Sequence, residues 1–261
     1  MTRSGRLAFG VVLALAMGTG TFAGYAFGVL GPDLIDEFDI SRFQLGLLTT
    51  VFFLVGGPLS LVAGPATDRF GPKRVMLIAF AIAAGALIAM ALAPAYPALL
   101  LSAGFAGLAL ASGNPVTNKL VAVHLARGTR GLVMGGKQAG VQVGAFLAGA
   151  MLAPLAVQVG WRSALGWAAV VPIVALLAAV VIVPRDAAPA PAGAGETDAP
   201  RILPGGVRWL AVYAFLMGSG VAAVNAYLPL YLVERAGASQ ELAGAVAVSY
   251  THLTLPTILR V

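Results

Sequence analysis

The sequence predicts an all-α membrane protein in which six spans form one bundle and a seventh opens a second. Three observations carry this. The 261 residues are 59% hydrophobic and only 10% charged, with a mean hydropathy of +0.92; a soluble domain carries about a quarter charged residues. The apolar residues fall in blocks of bilayer-crossing length, about 20 residues at a 1.5 Å rise. A proline-rich polar segment follows the sixth block, and a new apolar block begins after it.

The seven blocks run near Leu7–Leu30, Phe43–Gly64, Val75–Ala93, Pro97–Asn118, Gly136–Ala156, Ser163–Val183 and Trp209–Val233. In lipid the backbone must satisfy its own hydrogen bonds, so blocks of this length are helices. The period-two alternation of a membrane barrel is absent. The start, with Arg3, Arg6 and a small-residue patch near Ala23, resembles a signal peptide. The apolar block continues past that patch to Leu30, and further blocks follow at once. The first loop on the far side carries Asp33, Asp36, Glu37 and Asp39.

Basic residues set the topology. Arg3, Arg6, Arg69, Lys73, Arg74, Arg127, Arg130, Lys137, Arg185, Arg201 and Arg208 fall on one side; Arg42, Arg162 and Arg235 fall on the other. This asymmetry places the N-terminus in the cytoplasm. The net charge of +6 is therefore a topology signal and does not call for nucleic acid. The excess of Arg over Lys, with abundant Ala, Gly and Val, suggests a GC-rich bacterial gene, for which the expected location of a multi-pass chain is the inner membrane. Pro184–Val207 holds five prolines among Ala, Gly and acids and reads as a solvated cytoplasmic linker. The expected organisation is a six-helix bundle over 1–183, the linker over 184–207, and a seventh helix with the start of a second bundle over 208–247. Two bundles of six spans is a known carrier layout.

After Ala247 the style changes. Val248-Ser249-Tyr250-Thr251-His252-Leu253-Thr254-Leu255-Pro256-Thr257 is what one frame of a transposase sequencing adapter encodes, GTC TCT TAT ACA CAT CTG ACG CTG CCG ACG. Residues 248–261 are thus expected to be an adapter translation and are set apart from fold reasoning. On this reading the gene continues for roughly five further spans. The rival reading, the start of an eighth helix, is interrupted by Thr251, His252 and Pro256.

Between blocks two and three stands Gly64-Pro65-Ala66-Thr67-Asp68-Arg69-Phe70-Gly71-Pro72-Lys73-Arg74. It reads as a tight cytoplasmic turn. Gly64 and Gly71 permit close approach or positive φ, Pro72 can begin the next helix, and Arg69, Lys73 and Arg74 anchor the turn at the headgroups. The stretch resembles the signature of the major facilitator superfamily, G-x-L-A-D-R-x-G-R-[RK], and lies in the loop where that family carries it. It departs at Ala66, Thr67 and Pro72, and matches at Asp68, Arg69 and Gly71. The resemblance implies that Gly64, Asp68, Arg69, Gly71, Lys73 and Arg74 form a conformational latch, with Asp68 helping to hold the outward-facing state. It also implies alternating access around a central cavity lined by the first, fourth and seventh helices.

Block five opens with Gly136, Gly140 and Gly144 on one helical face, which suits close packing in lipid. Gln138 and Gln142 lie on another face, roughly opposite, and offer amides to a cavity. With Gly160-Trp161-Arg162 this stretch is similar to bacterial members of the same superfamily, although the family's Gly-Pro pair is absent. Block four ends with Asn114 and Asn118 on a shared face, and with Lys119; polar groups at membrane depth are costly and usually functional. Lys119 has a competing reading as a residue that snorkels to the cytoplasmic surface. Block one offers Tyr25 beside Gly20, Gly24 and Gly28, and block seven offers Asn225. The expected cavity candidates are Tyr25, Asn114, Asn118, Lys119, Gln138, Gln142 and Asn225. Their competing role is bonding between helices.

No Asp or Glu lies inside any block. A coupling ion, with the proton as the candidate, would need a group elsewhere, or Asp33, or His124. There is no cysteine, no metal-ligand spacing, no phosphate-binding loop and no Ser-His-Asp set. The sequence therefore predicts no catalytic residue, no metal and no cofactor, and a non-enzyme. The expected partners are the lipid bilayer and a small-molecule substrate, polar or anionic, moved by secondary active or facilitative transport. A chain holding one bundle and one further helix is expected to be inactive alone. The alternative is a non-transporting membrane scaffold or sensor.

Overall fold

The computed structural model describes residues 3–186 and 205–253. The expectations on residues 187–204, most of the linker, and on residues 254–261 lie outside the described residues. Among the described residues the secondary structure is entirely helical. Helices α1 (Arg3–Val29), α2 (Gly31–Phe38), α3 (Arg42–Phe70), α4 (Pro72–Ala91) and α5 (Tyr96–His124) come first. Then α6 (Arg127–Leu147) continues through a π turn (Ala148–Leu152) into α7 (Ala153–Val159). Helices α8 (Trp161–Ala168), α9 (Val170–Ile182), α10 (Gly205–Ala236) and α11 (Gln240–Leu253) complete the order.

Seven of these units are long and apolar enough to cross a bilayer: Ser4–Val29, Arg42–Phe70, Pro72–Ala91, Tyr96–His124, Arg127–Val159, Trp161–Ile182 and Val207–Ala236. Each overlaps a predicted block. Most run longer, because a helix continues into the headgroup zone after its apolar stretch ends. The fifth span starts at Arg127, nine residues before the predicted Gly136.

The expected turn over Gly64–Arg74 is much tighter. Helix α3 runs on to Phe70, and Gly71 alone turns the chain, with φ +89°. Gly64 and Pro65 stay helical, and nothing stands within 4 Å of where a Gly64 Cβ would lie. Pro72 begins α4 as its ring geometry favours. At the start of α3 the Ser41 side chain accepts from Gln44 N, and Gln44 reaches back to Ser41 N, a reciprocal cap.

Glycine sets the helix crossings. At Gly107 a Cβ would stand 3.1 Å from Gly56 N, and at Gly56 one would stand 3.0 Å from Gly107 O, so α3 and α5 touch backbone to backbone. Gly18 of α1 meets Gly140 and Gly144 of α6 in the same way, at 2.6 and 2.8 Å from the opposing carbonyl oxygens. Gly140 and Gly144 thus lie on the predicted packing face, whereas Gly136 has open space beside it. One apolar core gathers Phe27, Leu30, Leu45, Phe52, Leu99 and Trp161 toward the α2 end; a second gathers Phe9, Leu13, Met76, Phe80 and Leu120 toward the opposite end.

Polar ties hold both ends. At the opposite end the Asp186 carboxylate accepts from Lys73 N (2.8 Å) and Arg74 N (3.2 Å), at the N-terminus of α4. In return Lys73 Nζ donates to Val180 O (2.7 Å) and Val183 O (2.6 Å), at the C-terminus of α9. At the α2 end Arg162 Nη1 donates to Ala91 O (2.9 Å) and Ala93 O (2.8 Å), just past α4, while Nη2 reaches Glu37 at 3.2 Å. Its guanidinium lies 4.4 Å from the Trp161 ring centroid and 5.6 Å from that of Phe38. Arg162→Ala is expected to lower unfolding stability by about 1–2 kcal/mol, combining carbonyl capping with cation–π contact. Thermal unfolding in detergent reads this, and Arg162→Lys should recover only part, since ammonium lacks the planar fork.

Helix α10 joins the bundle at the α2 end alone. Its residues from Val207 to Val221 are exposed, whereas Ala226 and Leu230 are buried. There Gly28 packs on the Asn225 backbone and Gly46 on the Tyr227 hydroxyl. Arg42 pairs with Glu234 through Nε (2.9 Å) and Nη2 (2.6 Å), and Tyr227 donates to Arg42 O at 3.0 Å. Helix α11 then packs on the π turn: a Gly244 Cβ would stand 2.6 Å from Gly149 O. Helices α10 and α11 thus pack on the bundle toward the α2 end, and α10 stands clear of it from Val207 to Val221.

Candidate functional site

A buried cation stands where α5 meets α6. Lys137 is 2% exposed, and it is the one charged side chain among the buried polar residues described. Its Nζ donates to Thr117 Oγ1 (2.9 Å) and Asn114 Oδ1 (3.1 Å). Thr117 in turn donates to Gly113 O at 2.6 Å and lies 3.7 Å from Met17 Sδ. Both partners of the ammonium are neutral, and none of the three ion pairs among the described residues includes it. Lys137 lies about ten residues inside α6 and Asn114 about ten from the end of α5, roughly 15 Å of rise from either helix end. The site lies near the edge of the apolar stretches, with Lys137 one residue inside the fifth and Asn114 four residues from the end of the fourth.

Among the described residues the Lys137 ammonium has no counter-charge; its partners are an amide and a hydroxyl. Chemically, such a group can receive one negative group. Asn114 is exposed, so the cluster opens on the side where Asn114 lies. On the next turns of α6, Gln138 is exposed, and Gln142 keeps its Oε1 buried with no hydrogen-bond partner.

The sequence-predicted candidates separate into three groups. Asn114 joins Lys137 directly. Asn118 is exposed on the same helix one turn on, and Gln138 and Gln142 follow on α6. Lys119 is turned away to the end of the bundle, where its Nζ pairs with Asp68 Oδ1 at 2.5 Å. Both side chains are substantially exposed, at 43% and 63%. The latch residues therefore divide their work: Asp68 holds Lys119, Lys73 holds the end of α9, and Gly71 makes the turn. Arg69 lies 5.3 Å from the Phe70 ring centroid. Tyr25 packs against Val29, Ala148 and Ala153 beside the π turn. Asn225 supplies the backbone against which Gly28 closes.

Sequence reasoning placed Lys137 among the loop charges and missed its burial. The signal was present. Lys137 precedes Gly140 by three residues and Gly144 by seven, which puts it on the packing face of the same helix. It also missed Thr117 and Asp186. A cavity of about 370 Å³ lies between α1, α6 and the α8–α9 unit, lined by Leu15, Phe22, Val143, Leu147, Trp167 and Val171. Its wall is apolar apart from Thr19, and Lys137 does not line it.

Comparison with known proteins adds the following. The sequence profile of the Major Facilitator Superfamily matches residues 12–259. The 4-hydroxybenzoate transporter PcaK of Pseudomonas putida is 29% identical over 164 residues, 62% of this chain and 36% of that protein. The gallate transporter of Pseudomonas putida is 30% identical over 161 residues, 59% of this chain and 35% of that protein. The hexuronate transporter of Bacillus subtilis is 25% identical over 137 residues, 52% and 32% of the respective chains. The chain spans about a third of the length of these curated relatives. Among solved structures, a bacterial homolog of the human lysosomal transporter Spinster, inward-facing and unoccupied, superposes with a TM-score of 0.71 at 17% identity. That match covers 98% of this chain and 64% of the other. A D-xylose-proton symporter gives 0.68 at 15% identity, covering 97% and 69%. These two likenesses establish the fold.

Proposed function

The chain belongs to the Major Facilitator Superfamily, and on that premise we propose that its spans serve a carrier for small organic anions working by alternating access. It is a multi-pass membrane protein with transporter relatives. The basic residues support a bacterial inner-membrane setting with the N-terminus inside. The α2 end is then the outer end, and α10, packed there and clear of the bundle toward the inner end, fits the inward-facing half of a rocking cycle.

The single observation that carries the substrate class is Lys137, a buried cation with neutral partners only. The names of the relatives agree in chemistry: 4-hydroxybenzoate, gallate and hexuronate each carry one carboxylate and at least one hydroxyl. A carboxylate can take the charge of Lys137, and the amides of Asn114 and Asn118 on α5 can meet hydroxyls beside it, while Gln138 and Gln142 face the other way on α6. Asp68 and its neighbours, as the resemblance implies, serve the cytoplasmic latch.

The test is equilibrium binding to the purified chain in lipid nanodiscs, with ¹³C-methylated lysine followed by NMR. The probes are 4-hydroxybenzoate, gallate and a hexuronate, with phenol and D-xylose as uncharged analogues. The expected result is a shift of the Lys137 resonance with the three carboxylates and none with the analogues. Equal shifts from phenol or xylose, or none from any acid, would remove the organic-anion reading.

A further inference from the structure

We propose that the groove between α6–α7 and the α8–α9 unit is a binding site for one acyl chain of a bilayer phospholipid. The proposal needs only that the spans cross a membrane. It depends neither on which end faces out nor on the anion reading of Lys137.

The groove is the cavity of about 370 Å³ described above. Helix α1 forms its back wall, where Gly18 closes against Gly140 and Gly144. Its lips are Val11, Val143, Met151, Trp167 and Val171, all exposed. On α1 the lining runs from Val11 to Phe22, about 16 Å of helical rise, or one leaflet's share of a hydrocarbon core roughly 30 Å thick. The slot thus follows the membrane-crossing direction and has the length of a single lipid chain.

The wall chemistry excludes a polar occupant. The lining carries one hydroxyl, Thr19, and it already donates to Leu15 O at 2.7 Å. No charged residue lines the groove. A polar solute would lose its water there and find no partner in exchange, whereas a hydrocarbon chain loses nothing. The Trp167 indole on the lip lies six residues after the start of α8, about 9 Å of rise. That is near the level where an indole sits between hydrocarbon and headgroups, so this end suits the ester region of a lipid and the deeper end its tail.

The packing of α10 and α11 leaves the groove open to lipid. Helix α11 seats on Gly149 and meets Ala153. These stand two residues after Leu147 and two before Leu155, both in the lining, or roughly half a turn of helix away. Helix α11 therefore builds on the far side of α6–α7.

The test is indole quenching by phosphatidylcholine brominated on one straight acyl chain, mixed at rising fractions into nanodiscs of diphytanoyl phosphatidylcholine. The branched chains of the second lipid are too wide for the slot and supply ordinary surrounding lipid. Trp209→Phe removes an exposed indole and leaves Trp167 on the lip, with Trp161 buried as an unquenched background. Ala139→Phe and Ala168→Phe, on different helices of the lining, fill the groove, so a folding defect in one leaves the other to decide. The expected result is half-maximal quenching at a brominated fraction at least about three-fold lower in the parent than in either filled variant, the ratio of a held chain to a passing one. Leu132→Phe, exposed and outside the groove, should keep the parent curve. One common curve for the parent and both filled variants would overturn the proposal. So would an equally low midpoint with brominated hexadecane or a brominated free fatty acid, since the slot would then take any apolar chain. The curves are read without organic anion, so their outcome and that of the lysine resonance test stand apart.

Discussion

Gly140→Val is expected to cost the bundle about 3 kcal/mol or more, at the top of the range for overpacking a close-packed interior. At Gly140 an added Cβ would stand 2.6 Å from Ala14 C and 2.7 Å from Ala14 Cα, with Ala14 O closer still. All three are backbone atoms of α1, and no side-chain rotamer can yield. The two helices must part, and parting them also opens the Gly18–Gly144 contact. Gly136→Val on the same helix is the control. Nothing lies within 4 Å of its Cβ, so its effect should stay within about 0.5 kcal/mol, as for surface changes away from structural features. Tryptophan-fluorescence melts of the two variants in detergent decide the matter. Equal melting of the two would show that α1 and α6 do not touch as described.

Lys137→Met should do the opposite of most core substitutions. It should raise stability by on the order of 1–3 kcal/mol, because a buried ammonium without a counter-charge is replaced by an apolar chain of similar length. Thr117 keeps its bond to Gly113 O, and Asn114 can turn to water. At the same time the affinity for an organic anion should fall by ten- to a hundred-fold, or about 1.5–3 kcal/mol, the worth of one charge-assisted bond. A melt and a binding isotherm on one sample read both. A variant that loses stability and keeps its anion affinity would assign Lys137 to structure alone.

The spans were readable because bilayer thickness fixes their length and lipid excludes backbone alternatives. The glycine spacing of α6 foretold a close-packing face, which Gly140 and Gly144 supply, but did not name α1 as its partner. Helix ends were less legible. Apolar content marks where lipid stops, and α3 and α6 continue beyond that point. The candidate site was legible only in part. Asn114 was found because an amide in an apolar run is conspicuous. Lys137 was overlooked because a basic residue near a block edge looks like an anchor, and only its register against Gly140 and Gly144 betrays its direction. Lys119, expected as a cavity candidate with snorkelling as its competing reading, reaches Asp68 at the bundle's end. Asp186 could not be foreseen, since its partners are two backbone amides more than a hundred residues earlier.

The exchange between Lys73 and Asp186 joins α4 to α9 at one extremity, and Arg162 ties α4 to α8 at the other. Riveted top and bottom, the third and sixth spans form a stiff plank along one flank of the molecule. Tied at both ends, the two spans are expected to shift together as one unit. Helix α10 packs instead on α1, α2, α3 and α11, away from that flank, and is held only near its far tip.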